Sequence, residues 1–474
     1  MVTLITPPSE FLLDERVFMS LGILKVAASL EAAGEKVDHL DLSGVENFMD
    51  VVAEYSLSAK KGTVYGITAT TPQMPSASKI SAYLRPFGKV ILGGPHATLV
   101  NAAAKRETEQ GRAKRALEHL LAEFDSVVAG DGELAIAHAI KDTGLIDADD
   151  PKSPLWQTSA DFEISPLPAR HLVDVSSYHY EVDGEPALSM ISQLGCPFEC
   201  GFCGGRLSPM LRRIRSRTTK SVILEMMELY ETYGVKGVMF YDDELNVNRG
   251  MVQLMREIKE TGIDWRLRGF VKAELFTQEQ AESMYSAGFR WLLCGFESAH
   301  PIILRNINKK ATRADNTNML RIAHRTGLKV KALMSFGHPG ESEETILTTR
   351  DWLLQEKPDD FDCTIITTYP GTAYYDSAKF IDGVYVYNTW GDKLYSHDPN
   401  YSTDAQYYKG KPGEYKSYVW TDHLTPERLV ELRDAVEAEV RAKLGIPYPH
   451  AQAAIRYEHS VGMNHISKQI LRTK

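Results

Sequence analysis

Three thiols crowd one short stretch of this chain, Gly195-Cys196-Pro197-Phe198-Glu199-Cys200-Gly201-Phe202-Cys203-Gly204-Gly205. The spacing Cys-x-x-x-Cys-x-x-Cys offers three thiolates to one metal centre, and the flanking glycines and proline let the chain fold back as such a loop must. No fourth ligand follows locally. Structural zinc needs one to close its tetrahedron, whereas a cubane iron–sulfur cluster on three cysteines keeps one iron open to a substrate or cofactor. Five cysteines, three of them within eight positions, do not make a disulfide framework and fit a reducing cytoplasm. Cys294 and Cys363 lie too far apart in the chain to hold a second cluster without partners and read as buried structural thiols.

Elements that would position this loop surround it. Strand candidates at 190–194, 237–241, 265–271, 291–296, 328–336 and 363–368 alternate with helical sequence. Six βα units predict a partial (β/α)6 barrel, whose chemistry gathers at the carboxyl ends of its strands. The second end reads Tyr241-Asp242-Asp243-Glu244, consecutive acids that repel one another unless a cation or ammonium group offsets them. The third strand carries Arg266, Arg268 and Lys272, and the fourth ends Cys294-Gly295-Phe296-Glu297-Ser298. The fifth ends in Gly337-His338-Pro339-Gly340-Glu341-Ser342, whose serine caps the next helix, and the sixth in Thr367-Thr368-Tyr369-Pro370-Gly371-Thr372.

Upstream, largely apolar runs at 2–6, 37–42, 64–69, 89–92 and 125–129 alternate with helices, the first spanning about 19–33. That rhythm predicts a doubly wound parallel sheet with ligands beyond the strand ends. The loops there are Thr70-Thr71-Pro72-Gln73, Gly93-Gly94-Pro95-His96-Ala97-Thr98 and Gly130-Asp131-Gly132-Glu133. Their glycines let backbone amides approach a ligand, and none is a Gly-x-Gly-x-x-Gly dinucleotide fingerprint.

Cys196, Cys200 and Cys203, with aromatic Phe202 before the third cysteine, resemble the signature of radical S-adenosylmethionine enzymes, and the upstream sheet looks like their cobalamin-binding domain. The resemblance covers nearly residues 1–375. It implies a [4Fe-4S] cluster on the three cysteines, with S-adenosylmethionine chelating the open iron and cleaved to a 5′-deoxyadenosyl radical. It implies Asp242 or Asp243 at the methionine amine, one of Arg266, Arg268 and Lys272 at its carboxylate with Arg268 favoured, Glu297 and Ser298 at the ribose and methionyl part, and the Tyr369 turn at the adenine. It implies cobalamin against Thr71, Gly93, Gly94, Pro95, His96, Gly130, Gly132 and Glu133. Two departures stand out: Leu194 replaces an arginine common before the Gly-Cys-Pro, and no Asp-x-His-x-x-Gly string supplies a cobalt ligand, leaving His96 the outside candidate. The reaction expected is cobalamin-dependent methylation of an unactivated carbon in a small biosynthetic substrate. Radical dehydration of a diol-bearing, aminoglycoside-like sugar is the alternative, and a non-catalytic cobalamin or metal-binding module a distant one.

The expected domains are 1–145 (cobalamin-binding-like), a linker 146–185, the barrel 186–375 and a substrate-capping region 376–474. From Tyr374 onward the chain is rich in tyrosine (Tyr374, Tyr375, Tyr385, Tyr387, Tyr395, Tyr401, Tyr407, Tyr408, Tyr415 and Tyr418) and offers Asp382, Asp392, Asp398, His397 and His423 as proton carriers, and a helix at about 425–444 follows. A net charge of −10 without a basic run long enough for a phosphate backbone argues against nucleic acid, and no 18-residue apolar run argues against a membrane span. The start, Met1-Val-Thr-Leu-Ile-Thr-Pro-Pro, lacks a basic flank and reads as unexported and cytoplasmic. The expected partners are a small-molecule substrate and a low-potential electron donor such as flavodoxin or a reductase.

Overall fold

The structure, a computed structural model, describes residues 1–9, 14–60, 62–205, 207–406, 415–447, 457–459 and 471–473. The chain opens with β1 (Val2–Thr6), β2 (Val37–Asp41), β3 (Val64–Thr68), β4 (Lys89–Gly93), β5 (Ser126–Ala129) and β6 (Gly144–Asp147). They pair in parallel in the order β2-β1-β3-β4-β5-β6. The order reverses between β1 and β3, and such a switch point opens a crevice at the carboxyl ends of the strands. β6 carries the sheet past the expected boundary at 145. Its four residues, Gly-Leu-Ile-Asp, sit at the edge with Leu145 37% exposed, too short a run to show periodicity.

The second sheet begins at β7 (Glu181–Val182) and β8 (Glu185–Met190), and the chain then forms a small antiparallel pair, β9 (Gln193–Leu194) with β10 (Arg215–Ser216). It continues through β11 (Gly237–Phe240), β12 (Arg266–Phe270), β13 (Phe289–Glu297), β14 (Lys329–Phe336) and β15 (Asp360–Ile365), in the order β15-β14-β13-β12-β11-β8-β7. From β8 to β15 every pair is parallel and each strand lies beside its neighbour in sequence. Right-handed crossovers then all put their helices on one face, and the sheet curls into a half-barrel. The helix-facing side chains, among them Val238, Leu267, Leu292, Val330 and Phe361, are wholly buried, and Phe296 meets Trp352 edge-on at 5.3 Å.

Three barrel strands start earlier than expected, β13 by two residues and β8 and β15 by more. The apolar run ending at Leu194 spans the end of β8 and all of β9, with Ser192 between them donating its N–H to Asp242 at 2.7 Å. The sixth strand likewise runs Asp360–Ile365, its polar start hidden in ion pairs to Lys331 and Arg441.

Beyond the barrel, β16 (Lys379–Ile381), β17 (Val384–Thr389), β18 (Asp392–Ser396) and β19 (Val419–Thr421) make an antiparallel sheet, and the helix Pro426–Leu444, capped by Thr425, lies on β15. β20 (Tyr457–His459) pairs with β21 (Leu471–Thr473). Tyr407 and Tyr408 lie outside the described residues. Among the described residues no helix is long and apolar enough to cross a membrane.

Candidate active site

The cysteine loop is tied on three sides. At its start Cys196 N–H donates to Leu211 O at 3.0 Å, in its middle Gly201 N–H donates to Ile307 O at 2.7 Å, and Tyr374 N–H donates to Gly201 O at 3.2 Å. A Cβ on Gly195, at φ +90°, would fall 2.1 Å from Arg213 O, and one on Gly201 would fall 2.6 Å from the Tyr374 ring. Only glycine permits either approach.

Cys200 is buried against Ile303, Ile307 and Phe202. Burial pushes the Cys196 thiol up to about 12 and the Cys203 thiol up to about 11. Cys203 is nonetheless exposed by area, so the third thiol keeps an open side. The charge of Cys203 is felt at Cys196 and that of Cys200 at Cys203, so the three thiols share one neighbourhood. Among the described residues no three Cys, His, Asp or Glu side chains close on a single ion. A cubane takes one thiolate per iron corner and therefore wants its cysteines apart. Thiols that burial keeps protonated need a strong local cation to ionise, as cluster iron would supply.

The three acids after β11 part company. Asp242 is 1% exposed and accepts from the backbone and hydroxyl of Ser192, while burial raises it to about 7. It is a clamp between β8 and β9. Asp243 accepts Gly195 N–H at 3.0 Å and so holds the loop. Glu244, outside the expected set, has a buried Oε2 with no hydrogen-bond partner; burial raises it to about 7 against the pull of Lys309 and Lys272. A buried carboxylate oxygen left bare beside the thiols is placed to receive an ammonium.

Lys272, not Arg268, comes to the loop. Its Nζ lies 4.2 Å from the Phe198 ring centroid and donates to Lys309 O at 3.0 Å. Arg268 instead donates to the Tyr180 hydroxyl at 3.0 Å and lies between the rings of Tyr180 and Trp291. Glu297 takes the left-handed φ of +62° at the end of β13, pairs with Lys309 at 3.1 Å and accepts from Ser335 Oγ at 2.7 Å. Ser335 also meets His338 Nε2 at 2.8 Å, and the His338 ring stands edge-on to Phe202 at 5.3 Å. Ser298 turns away, its Oγ 3.1 Å from Thr349 Oγ1 and accepting from His300 N–H. Tyr369 is partly exposed 6.3 Å from the Tyr401 ring, and its turn packs Gly371 against Gly204 and Leu99. In the tail, Asp392 is held by Asn306 at 2.8 Å and Asp398 by Arg112 at 2.5 Å, latches between elements rather than free acids.

At the switch point of the first sheet lies a cavity of about 520 Å³. Gly93, Gly94, Pro95, Gly130, Gly132 and Glu133 line it from below, and Ser189, Ile191, Leu194 and Tyr241 line it from the barrel. Gly94 and Gly130 are glycines for the backbone's sake, at φ +96° and +95° with a Cβ 2.7 and 2.6 Å from its nearest neighbour. Gly93 differs: an added Cβ would meet only Val128, at 4.0 Å. Its missing side chain is space kept for something else. The structure does not bring Thr71 and His96 to this cavity. They bond each other at 3.0 Å beside Tyr401, and burial lowers His96 to about 3, so it stays neutral and packed. The cavity lining contains no histidine. Among the described residues, then, a corrin held there would take no histidine ligand to its cobalt.

Residues 190–353 match the Radical SAM superfamily. An uncharacterized methyltransferase of Pyrococcus horikoshii is 28% identical over 336 residues, 66% of this chain and 69% of that one. The bacteriochlorophyllide d C-12(1)-methyltransferase of Chlorobaculum tepidum is 25% identical over 324 residues, 67% of this chain and 66% of its own. The chain thus spans about two thirds of the length of these relatives. Among solved structures, the radical S-adenosylmethionine methyltransferase TsrM of Kitasatospora setae, with cobalamin and a [4Fe-4S] cluster bound, superposes with a TM-score of 0.64 at 18% identity, over 94% of this chain and 91% of that one. The two share a fold.

Proposed function

We infer from the radical S-adenosylmethionine domain this chain carries that it is an enzyme that methylates an unactivated carbon of a small biosynthetic substrate, with cobalamin as the methyl carrier. One observation carries the reading: the glycine-floored cavity is lined by Leu194, the residue before the thiol loop, and by Tyr241, two before the Asp243 that holds the loop's Gly195, so the two sites adjoin at one barrel end. When bound, the cluster supplies the electron that cleaves S-adenosylmethionine to a 5′-deoxyadenosyl radical, and cobalamin supplies the methyl group. Cys196, Cys200 and Cys203 hold the first group, and the floor at Gly93 admits the second.

The chain's own residues do the rest. Glu244 receives the methionine amine, and Lys272 and Lys309 behind it favour its ionised form. Lys309 stays charged despite burial because Glu297 faces it. Phe202, packed on Cys200 and His338, closes the loop's flank against water. Arg268, set in the barrel between Tyr180 and Trp291, is left for the substrate side.

Anaerobic reconstitution with iron, sulfide and hydroxocobalamin tests this. The expected product is a brown chain with about four irons and bound cobalt that forms 5′-deoxyadenosine under dithionite, with Cys200→Ala forming none. Iron with cleavage but no cobalt would favour radical dehydration, and one zinc in a colourless protein would refute both.

A further inference from the structure

The two segments that grip the cysteine loop are the most cationic in an acidic chain. Positions 206–217 hold five arginines and no acid, and 305–313 hold two arginines, two lysines and no acid, in a protein of net charge −10. Both touch the loop directly: Arg212 donates to Pro197 O at 2.9 Å, and Asn308 donates to Glu199 O at 3.0 Å. Arg215 and Arg217 are spent on buried pairs with Asp131 and Glu225. Arg213 and Lys310 are exposed, and among the described residues neither makes an ion pair. Arg212 is partly exposed and Arg305 exposed, and they pair with Glu199 and Asp392.

A second observation falls beside the second of these segments. The β17–β18 hairpin turns on Trp390-Gly391, both at positive φ (+55° and +90°), a two-residue turn that favours Asn-Gly. A bulky residue there is a true outlier, and Trp390 is moreover 75% exposed. Its ring lies 5.5 Å from the Arg305 guanidinium, and Asn306 and Arg305 bind Asp392 at the base of the turn. The strained tryptophan is thereby held beside the helix Pro301–Ile307 that packs on Cys200. The turn itself gains nothing from this choice of residue. Exposed Trp with Arg is the pairing that anchors protein interfaces.

We propose that this face, Arg213 and Lys310 flanking the cysteine loop with Trp390 as anchor, is the docking surface for an acidic, low-potential one-electron carrier protein. The proposal rests on the function inferred above, which needs an electron at the thiol-held cluster. One electron leaves the carrier, oxidising it by one, and enters the cluster, reducing it by one; no bond is made or broken. Because the chain as a whole repels an acidic partner, a locally cationic face is needed to steer it in.

The test uses reduced flavodoxin as the carrier. Its affinity for the chain is measured by titration calorimetry at low and high salt, and 5′-deoxyadenosine is measured with flavodoxin or with dithionite as reductant. The double variant Arg213→Glu with Lys310→Glu, and separately Trp390→Asn, are expected to weaken flavodoxin binding about tenfold or more and to slow flavodoxin-driven cleavage alike, while dithionite-driven cleavage is unchanged. Trp390→Asn should keep or raise the melting temperature, since Asn suits the turn. Variants that bind flavodoxin as the parent does overturn the proposal, as does a parent that is active with dithionite yet neither binds nor accepts electrons from flavodoxin. Absence of cleavage with dithionite would count against the proposed function instead, and the calorimetry would still report on docking.

Discussion

Glu244 and Asp242 stand two positions apart and are held in opposite ways. Asp242 spends both oxygens on Ser192, whereas Glu244 keeps Oε2 buried and bare in front of two lysines. Glu244→Gln preserves shape and removes the charge, so it should raise the S-adenosylmethionine KM roughly tenfold to a hundredfold, the worth of a hydrogen bond to a charged group, with unchanged iron content and melting temperature. Asp242→Ala should do the reverse, lowering stability and iron loading because Ser192 loses its acceptor. If Asp242→Ala left the fold intact and raised KM alone, the roles would be exchanged. The three cysteines are legible in sequence because their spacing along the chain is itself the ligand pattern. The order within Asp242-Asp243-Glu244 is not, because it depends on β11 ending at Phe240, and strand ends are set by pairing with β8 and β12. Arg268 and Lys272 are ambiguous for the same reason: Arg268 lies within β12 and Lys272 two residues beyond its end, which separates the barrel's interior from its mouth. His96 follows a glycine turn as a ligand would, but only the structure shows Thr71 and Tyr401 occupying it.

An open half-barrel must hide its last strand, and β15 does so with side chains instead of a seventh strand. Arg441 donates to Phe361 O at 2.5 Å, Arg433 to Cys363 O at 2.9 Å, and the Tyr415 hydroxyl bonds both N–H and O of Ile365, at 2.9 and 2.7 Å. Alternate residues of the edge are thus covered, which blocks pairing with another chain. Arg433 is also ion-paired with Glu437, both 2% exposed. Arg433→Ala should cost about 2–3 kcal/mol, less than a wholly stranded carboxylate would, because Arg441 still pairs with Glu437 at 3.2 Å, and Tyr415→Phe about 1–3 kcal/mol, read as shifts of the urea midpoint at constant slope. A larger loss for Tyr415→Phe would mean that the ion pair contributes less than the edge bonds. The barrel's alternation of strand and helix is plain in the sequence because each βα unit repeats one pattern. The sheet β16–β19 is hidden there, since dense tyrosines suggest a capping surface. Its signal was nevertheless present in Val384-Tyr385-Val386-Tyr387, an alternating run bracketed by Asp382-Gly383 and Trp390-Gly391.

Across the whole molecule, the cavity between the two sheets exists only because both domains wall it. Asp131 pairs with Arg215, and Asp149 accepts from Ser208 Oγ at 2.7 Å and Met210 N–H at 2.8 Å, so the first domain is fastened to the strand and helix that follow the cysteine loop. Filling the floor of the cavity should therefore separate two activities that share one chain. Gly93 has no positive φ and its Cβ would meet nothing nearer than 4.0 Å, so a Gly93→Leu side chain can leave the backbone without strain and extend into the cavity. The leucine would fill space a corrin or its tail requires. After reconstitution this variant should melt as the parent does, carry about four irons and form 5′-deoxyadenosine, yet retain little cobalt and transfer no methyl group. Gly94→Ala is the contrasting control, because its Cβ would sit 2.7 Å from Thr68 Oγ1 at a φ of +96° and should destabilise the sheet itself. Full cobalt loading in Gly93→Leu would place cobalamin outside this cavity. Loss of cleavage together with cobalt would show that the floor also supports the barrel site, because domains fastened this tightly can pass a local strain from one to the other.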